Sequence, residues 1–113
     1  MTGYSRGDVV LVNFIFSDET GVKHRPAVII SSDAYLQSRQ ETIIAAITSR
    51  TDRVLFGDCL IGDWQQAGLL FPSVATGIIR TVKQNMIAQK LGVMPKDDMK
   101  AIDSELRAIL NLA

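Results

Sequence analysis

A small antiparallel β-barrel closed by a C-terminal helix is the fold the sequence predicts, and three observations predict it. Short β-branched and aromatic runs alternate with polar breaks, no long helical pattern separates them, and one strongly amphipathic helical pattern comes last. The chain is therefore mainly β with a C-terminal helix. Its 113 residues, 47% hydrophobic and 21% charged, are enough for a single domain over 1–113 whose core needs no staple.

Asp8–Phe16 (DVVLVNFIF), Pro26–Ser31 (PAVIIS) and Thr42–Thr48 (TIIAAIT) read as the first three strands. Pro26 has no amide hydrogen, so it belongs at the first position of its strand or on an edge, which puts Arg25 at the strand's mouth. Ser17–His24 (SDETGVKH) is too long for a tight turn and reads as a hairpin loop able to cover a site. Ser32–Glu41 is polar enough for a loop or a helical turn, and Ser49–Arg53 is a second polar break.

Strands then resume at Val54–Leu60 (VLFGDCL) and Ser73–Val82 (SVATGIIRTV), on either side of a glycine-containing segment, Gly62–Gly68, that holds Trp64. Val82–Leu91 predicts a short helix ended by Gly92. The last helix is clearer. Pro95 sits in its first turn, Asp97 and Asp98 stand near the positive end of its dipole, and Met99, Ile102, Leu106, Ile109 and Leu110 recur at three- and four-residue steps.

Charge narrows the function classes. Twelve basic side chains balance twelve acidic ones, and the residues up to Phe56 hold six of each, so no basic arm exists. Any nucleic-acid role must rest on a local cleft and not on bulk charge. One Cys59 and one His24 fall short of any zinc ligand set, and no phosphate-cradling glycine loop or dinucleotide fingerprint is present, so no metal or cofactor is expected. Met1 to Asp8 holds no apolar signal-peptide stretch and no run approaches membrane-spanning length, which predicts a cytoplasmic location without a membrane partner.

Among single residues, Cys59 reads as a small apolar core residue and His24 as a loop residue before a strand. A small-molecule hydrolase built on either would rest on that residue alone. Arg25 and Thr48 carry more, because each stands at a strand end where side chains converge on a barrel rim. Arginine offers a planar fork of donors suited to phosphate, and threonine a hydroxyl that donates to a developing oxyanion.

Several segments then combine: Arg6–Val12 (RGDVVLV), His24–Ser31 (HRPAVIIS), Ala46–Ser49 (AITS), Gly68-Leu69-Leu70 before Pro72-Ser73, and Arg80-Thr81-Val82 before a late amphipathic helix. In order and spacing they resemble the MazF/PemK family of toxin endoribonucleases. The resemblance implies an SH3-like barrel, a homodimer, metal-free cleavage of single-stranded RNA, and inhibition by a cognate antitoxin protein. It assigns Arg25 and Thr48 to the catalytic pair, since they fall on the family's Arg-Pro and Thr-Ser motifs, with Ser49 and Ser73 in support. The Ser17–His24 loop then becomes a gate over the cleft, with Asp18, Glu19 and His24 facing RNA, and Trp64 and Phe16 are the aromatic groups considered for base stacking, both more in character as core residues.

One departure bears on activity. Many relatives carry charged side chains after the Pro-Ser pair, whereas Val74–Ile79 (VATGII) carries none before Arg80. Arg50, Arg53, Arg80 and Lys83 replace that charge if they face the cleft. If they do not, the alternative is a non-catalytic SH3-like barrel that binds a partner protein or RNA.

Overall fold

The computed structural model describes residues 3–15 and 22–113. Six antiparallel strands form one sheet in the order β4-β5-β3-β2-β1-β6. The strands are β1 (Asp8–Ile15), β2 (Val22–Ile29), β3 (Glu41–Thr48), β4 (Cys59–Leu60), β5 (Val74–Lys83) and β6 (Ile87–Val93). Helix α1 (Asp33–Ser38) links β2 to β3, and α2 (Lys96–Leu110) ends the chain.

The apolar runs of β1 to β3 are continuous because both faces of the sheet are buried. Successive side chains on a strand point to opposite faces. Val9, Val28, Ala45 and Ile47 therefore join Met94 and Ile102 in one cluster, while Val10, Val12, Ala27, Ile29 and Ile44 enclose Leu36 of α1 in another. Partly buried Met99 and Leu106 pack on the first cluster, so the three- and four-residue apolar steps of α2 are the stripe that covers that face.

Helix ends follow side-chain chemistry. The Ser32 hydroxyl caps α1 by accepting the Tyr35 amide at 3.1 Å. Pro95 precedes α2, and Asn111 closes it in the left-handed conformation, its amide donating to the Ala108 and Arg107 carbonyls. The Asp98 carboxylate in the first turn accepts the Gly62 amide at 2.7 Å and the Asp63 amide at 3.1 Å, which fastens α2 to the loop before Gly68.

Three expectations are corrected. Val82–Leu91 is not a helix: after one 3₁₀ turn at Gln84–Met86, β6 pairs along β1, so pairing overrides the helical preference of its Gln, Lys and Ala residues. Most of Val54–Leu60 is not a strand either. Asp58 accepts the Leu55 amide and donates its own amide to the Leu55 carbonyl, which makes a turn with Gly57 at φ +92° and leaves only Cys59–Leu60 paired. Finally, β2 begins before Pro26, at Val22, and Pro26 lies mid-strand opposite Leu11. Its missing amide hydrogen does no harm, because pairing with β3 starts only at Ala27.

Candidate active site

The splay of β2 from β3 builds the site. Ala27 pairs with Ala46, Val28 with Ala45 and Ile29 with Ile44. Beyond Ala46, β3 leaves β2 and runs on with β5, where Ile47 faces Ala75 and Thr48 faces Val74. Arg25 and Pro26 are left on one wall of a groove of about 1070 Å³, and Ala46 to Arg50 form the other wall.

Arg25 and Thr48 stand more than twenty residues apart in the chain, and the splay brings both to this groove. Arg25 is exposed on β2 opposite Val12. Thr48, half-buried, ends β3, and its Oγ1 accepts the Arg50 amide at 3.2 Å. That bond uses a lone pair and leaves the hydroxyl hydrogen to donate. Ser49 lines the same wall. Ser73 also borders the groove, but it is buried and its hydroxyl donates to the Phe71 carbonyl at 2.7 Å, so its proton is committed to the backbone.

Arg50, Arg53 and Arg80 line the groove, with Arg50 also paired to Asp52 at 3.1 Å. Lys83 does not. It sits opposite Glu41 at the far end of the β3–β5 ladder, seven residues from Thr48 or roughly 23 Å of strand, and donates to Gln40 at 3.3 Å. His24 is exposed on β2 opposite Asn13 and is not among the lining residues. Asp18, Glu19 and Phe16 lie outside the described residues. Trp64 packs half-buried against the core.

Three lining residues were missed from the sequence. Lys90 reaches the groove from β6 and pairs at 3.4 Å with the buried carboxylate of Asp8. It went unnoticed because its segment reads as helix. Asp58 anchors the groove wall: one oxygen accepts the Gly77 amide at 2.7 Å and the other the Leu55 amide at 3.0 Å. Phe71 stands 63% exposed on the rim, where an aromatic immediately before a proline in a non-strand segment was the available signal.

Among the described lining residues, Arg25, Arg50, Arg53, Arg80 and Lys90 are cationic and Asp58 is the one carboxylate, while Asp52 and Asp8, the partners of Arg50 and Lys90, lie outside the lining. A chain of zero formal charge thus concentrates cations in one cleft. Near the groove, Cys59 is half-buried, and burial, followed by Glu105, Asp98 and Asp58, pushes its thiol up to about 11. Such a thiol stays protonated at neutral pH and is no nucleophile. Among the described residues no group of three or more His, Cys, Asp or Glu gathers to hold a metal ion, and no helix is long and apolar enough to cross a membrane.

Residues 5–110 match the model of PemK-like, MazF-like toxins of type II toxin-antitoxin systems. The chain belongs to that family. This PemK/MazF-like chain superposes on a mycobacterial endoribonuclease solved with its cognate antitoxin, with TM-score 0.77, 21% identity and 98% of each chain covered. It superposes also on a MazE-MazF structure from Deinococcus radiodurans, with TM-score 0.80, 19% identity and 97% of each chain covered. A MazF toxin of Mycobacterium tuberculosis gives TM-score 0.76 at 20% identity over 94% of this chain and 98% of the other. At such identities the superpositions establish a shared fold. No curated protein matches the PemK/MazF-like chain by sequence.

Proposed function

We propose that the protein is the toxin of a type II toxin-antitoxin pair and acts as a metal-independent endoribonuclease, cutting single-stranded RNA to 2′,3′-cyclic phosphate and 5′-hydroxyl ends. The observation that carries this reading is the gathering of Arg25, Thr48 and four further cations on one groove opened by the β2–β3 splay.

In that reaction the neighbouring 2′-hydroxyl oxygen attacks phosphorus as its proton passes to solvent water. The bond to the 5′ oxygen breaks, and that oxygen takes up a proton. Negative charge gathers on the phosphoryl oxygens on the way. Arg25 faces that charge with paired N–H donors and supports the departing 5′ oxygen, since a guanidinium offers donors and no acceptor. Thr48, oriented by the Arg50 amide, donates to a non-bridging oxygen. Ser49 adds a hydroxyl beside it, while Ser73 supports the rim through the backbone. Arg50, Arg53, Arg80 and Lys90 hold the flanking phosphates.

The partners in this reading are RNA, a cognate antitoxin and a second copy of the chain, acting in the cytoplasm. Complexes of relatives with antitoxins support the second of these. The test is incubation with a long single-stranded RNA in excess EDTA, with product ends mapped. Cuts at a recurring short sequence with cyclic-phosphate ends are expected. Intact RNA across diverse sequences would overturn the assignment.

A further inference from the structure

Leu70 and Phe71 are 82% and 63% exposed on the groove rim. The backbone around them is tightly held. Gly68, at φ +86°, lies so close to β6 that a Cβ there would stand 2.2 Å from the Leu91 carbonyl oxygen. The Leu69 amide donates to the Trp64 carbonyl at 3.1 Å, and its side chain is buried. On the other side, Ser73 is buried, its carbonyl accepts the Ile61 amide at 3.0 Å, and its hydroxyl holds the Phe71 carbonyl. Pro72 fixes φ between them. The ring of Phe71 is thus offered on a short spur pinned at both ends.

We propose that Phe71 is a stacking platform for one unpaired base of the RNA strand, and so a specificity-determining residue of the groove; the proposal rests on the ribonuclease reading. Phe71 is the one aromatic residue among the described residues lining the groove. The cations beside it suit a polyanion, and an unpaired strand bound by its phosphates turns its bases outward, where an aromatic face holds any of them. A pre-positioned ring loses little freedom when the base arrives. The occupant is therefore an RNA base and not an apolar peptide, because the groove beside the ring is lined by arginine and lysine side chains suited to the phosphates of the same strand.

The test uses the full chain and a labelled, mixed-sequence RNA 20-mer with every 2′-hydroxyl methylated, so that binding is read without cleavage. Phe71→Ala is expected to weaken binding by roughly 5- to 150-fold, the worth of one base stacked on an aromatic side chain. Phe71→Leu, which keeps apolar bulk without a π face, behaves like the alanine variant. Phe71→Trp keeps wild-type affinity, and its added indole emission is quenched by the oligonucleotide. Unchanged binding by the alanine and leucine variants, or an unquenched indole, would overturn the proposal. So would a dimer that falls apart in Phe71→Ala while RNA affinity holds, since Phe71 would then contact a second copy. If wild type binds through Phe71 yet cleaves no RNA, the platform stands and the ribonuclease reading falls; if it cleaves and the variants bind unchanged, the reverse holds.

Discussion

Ala27 and Ala46 form the last pair between β2 and β3, and everything the groove contains follows from the ladder ending there. One rung earlier the strands are zipped. One residue before Ala27, Pro26 lacks the amide that a further rung would need, and Arg25 before it lines the groove.

Replacing that proline tests the splay. Pro26→Ala frees the unfolded chain and relaxes the extended bias on Arg25. The expected outcome is a stability loss of about 0.5–1 kcal/mol in urea denaturation. RNA cleavage falls by about threefold to tenfold as Arg25 loses its fixed approach, read as kcat/KM.

Lys90 and Lys83 make a matched pair of lysines, one in the groove and one at the far end of β5. Binding of single-stranded RNA should weaken with salt, and each neutralised phosphate contributes about 0.7 to the slope of log K against log salt. Lys90→Ala is expected to lower that slope by about 0.7, and Lys83→Ala to leave it unchanged. Anisotropy titrations at several salt concentrations check both.

Gly68 and Gly7 separate backbone conformation from close approach. Both have φ near +90°, but a Cβ on Gly7 meets nothing nearer than the Met99 sulfur at 4.0 Å, whereas on Gly68 it strikes the Leu91 carbonyl. Gly7→Ala should cost about 1–2 kcal/mol, the left-handed strain alone. Gly68→Ala should cost about 3 kcal/mol or more, or yield no folded protein, as strain and a backbone clash combine. Urea midpoints distinguish the two.

Cys59 gives a pH signature. Its thiol is pushed up to about 11 in the folded chain, above the ordinary thiol value near 9. The folded state therefore holds its proton more tightly than the unfolded state. Its contribution to stability is complete below pH 9 and is lost as pH rises through about 11. Iodoacetamide labelling at pH 8 should be slow in the folded protein and fast after unfolding.

Strands β1, β3 and β5 and helix α2 were legible because alternation, apolar runs and three-four spacing are local signals. β6 was not. Its Gln89 and Lys90 lie on an edge strand with four of its seven residues exposed, so it lacks the apolar alternation that marks a buried strand. Arg25 and Thr48 were singled out by the Arg-Pro and Thr-Ser motifs and both line the groove, although only Thr48 ends a strand and Arg25 lies within β2. Asp58 was invisible because its role is to accept two backbone amides, one from a residue nineteen positions away. Phe71 was hidden for a similar reason: its exposure depends on Gly68 and Ser73 being held by other elements.

Whether Arg25 and Thr48 act on one phosphate is decided most directly by a double-mutant cycle. Cleavage of single-stranded RNA is measured for wild type, Arg25→Ala, Thr48→Ala and the double variant, each shown to be folded. Losses of about a hundredfold to a thousandfold are expected for each single variant. The double variant should be little worse than the poorer single, because the two side chains serve the same transition state. Single variants that cut as fast as wild type, or a wild type that leaves RNA intact, would contradict it and leave the groove as a binding surface without catalysis.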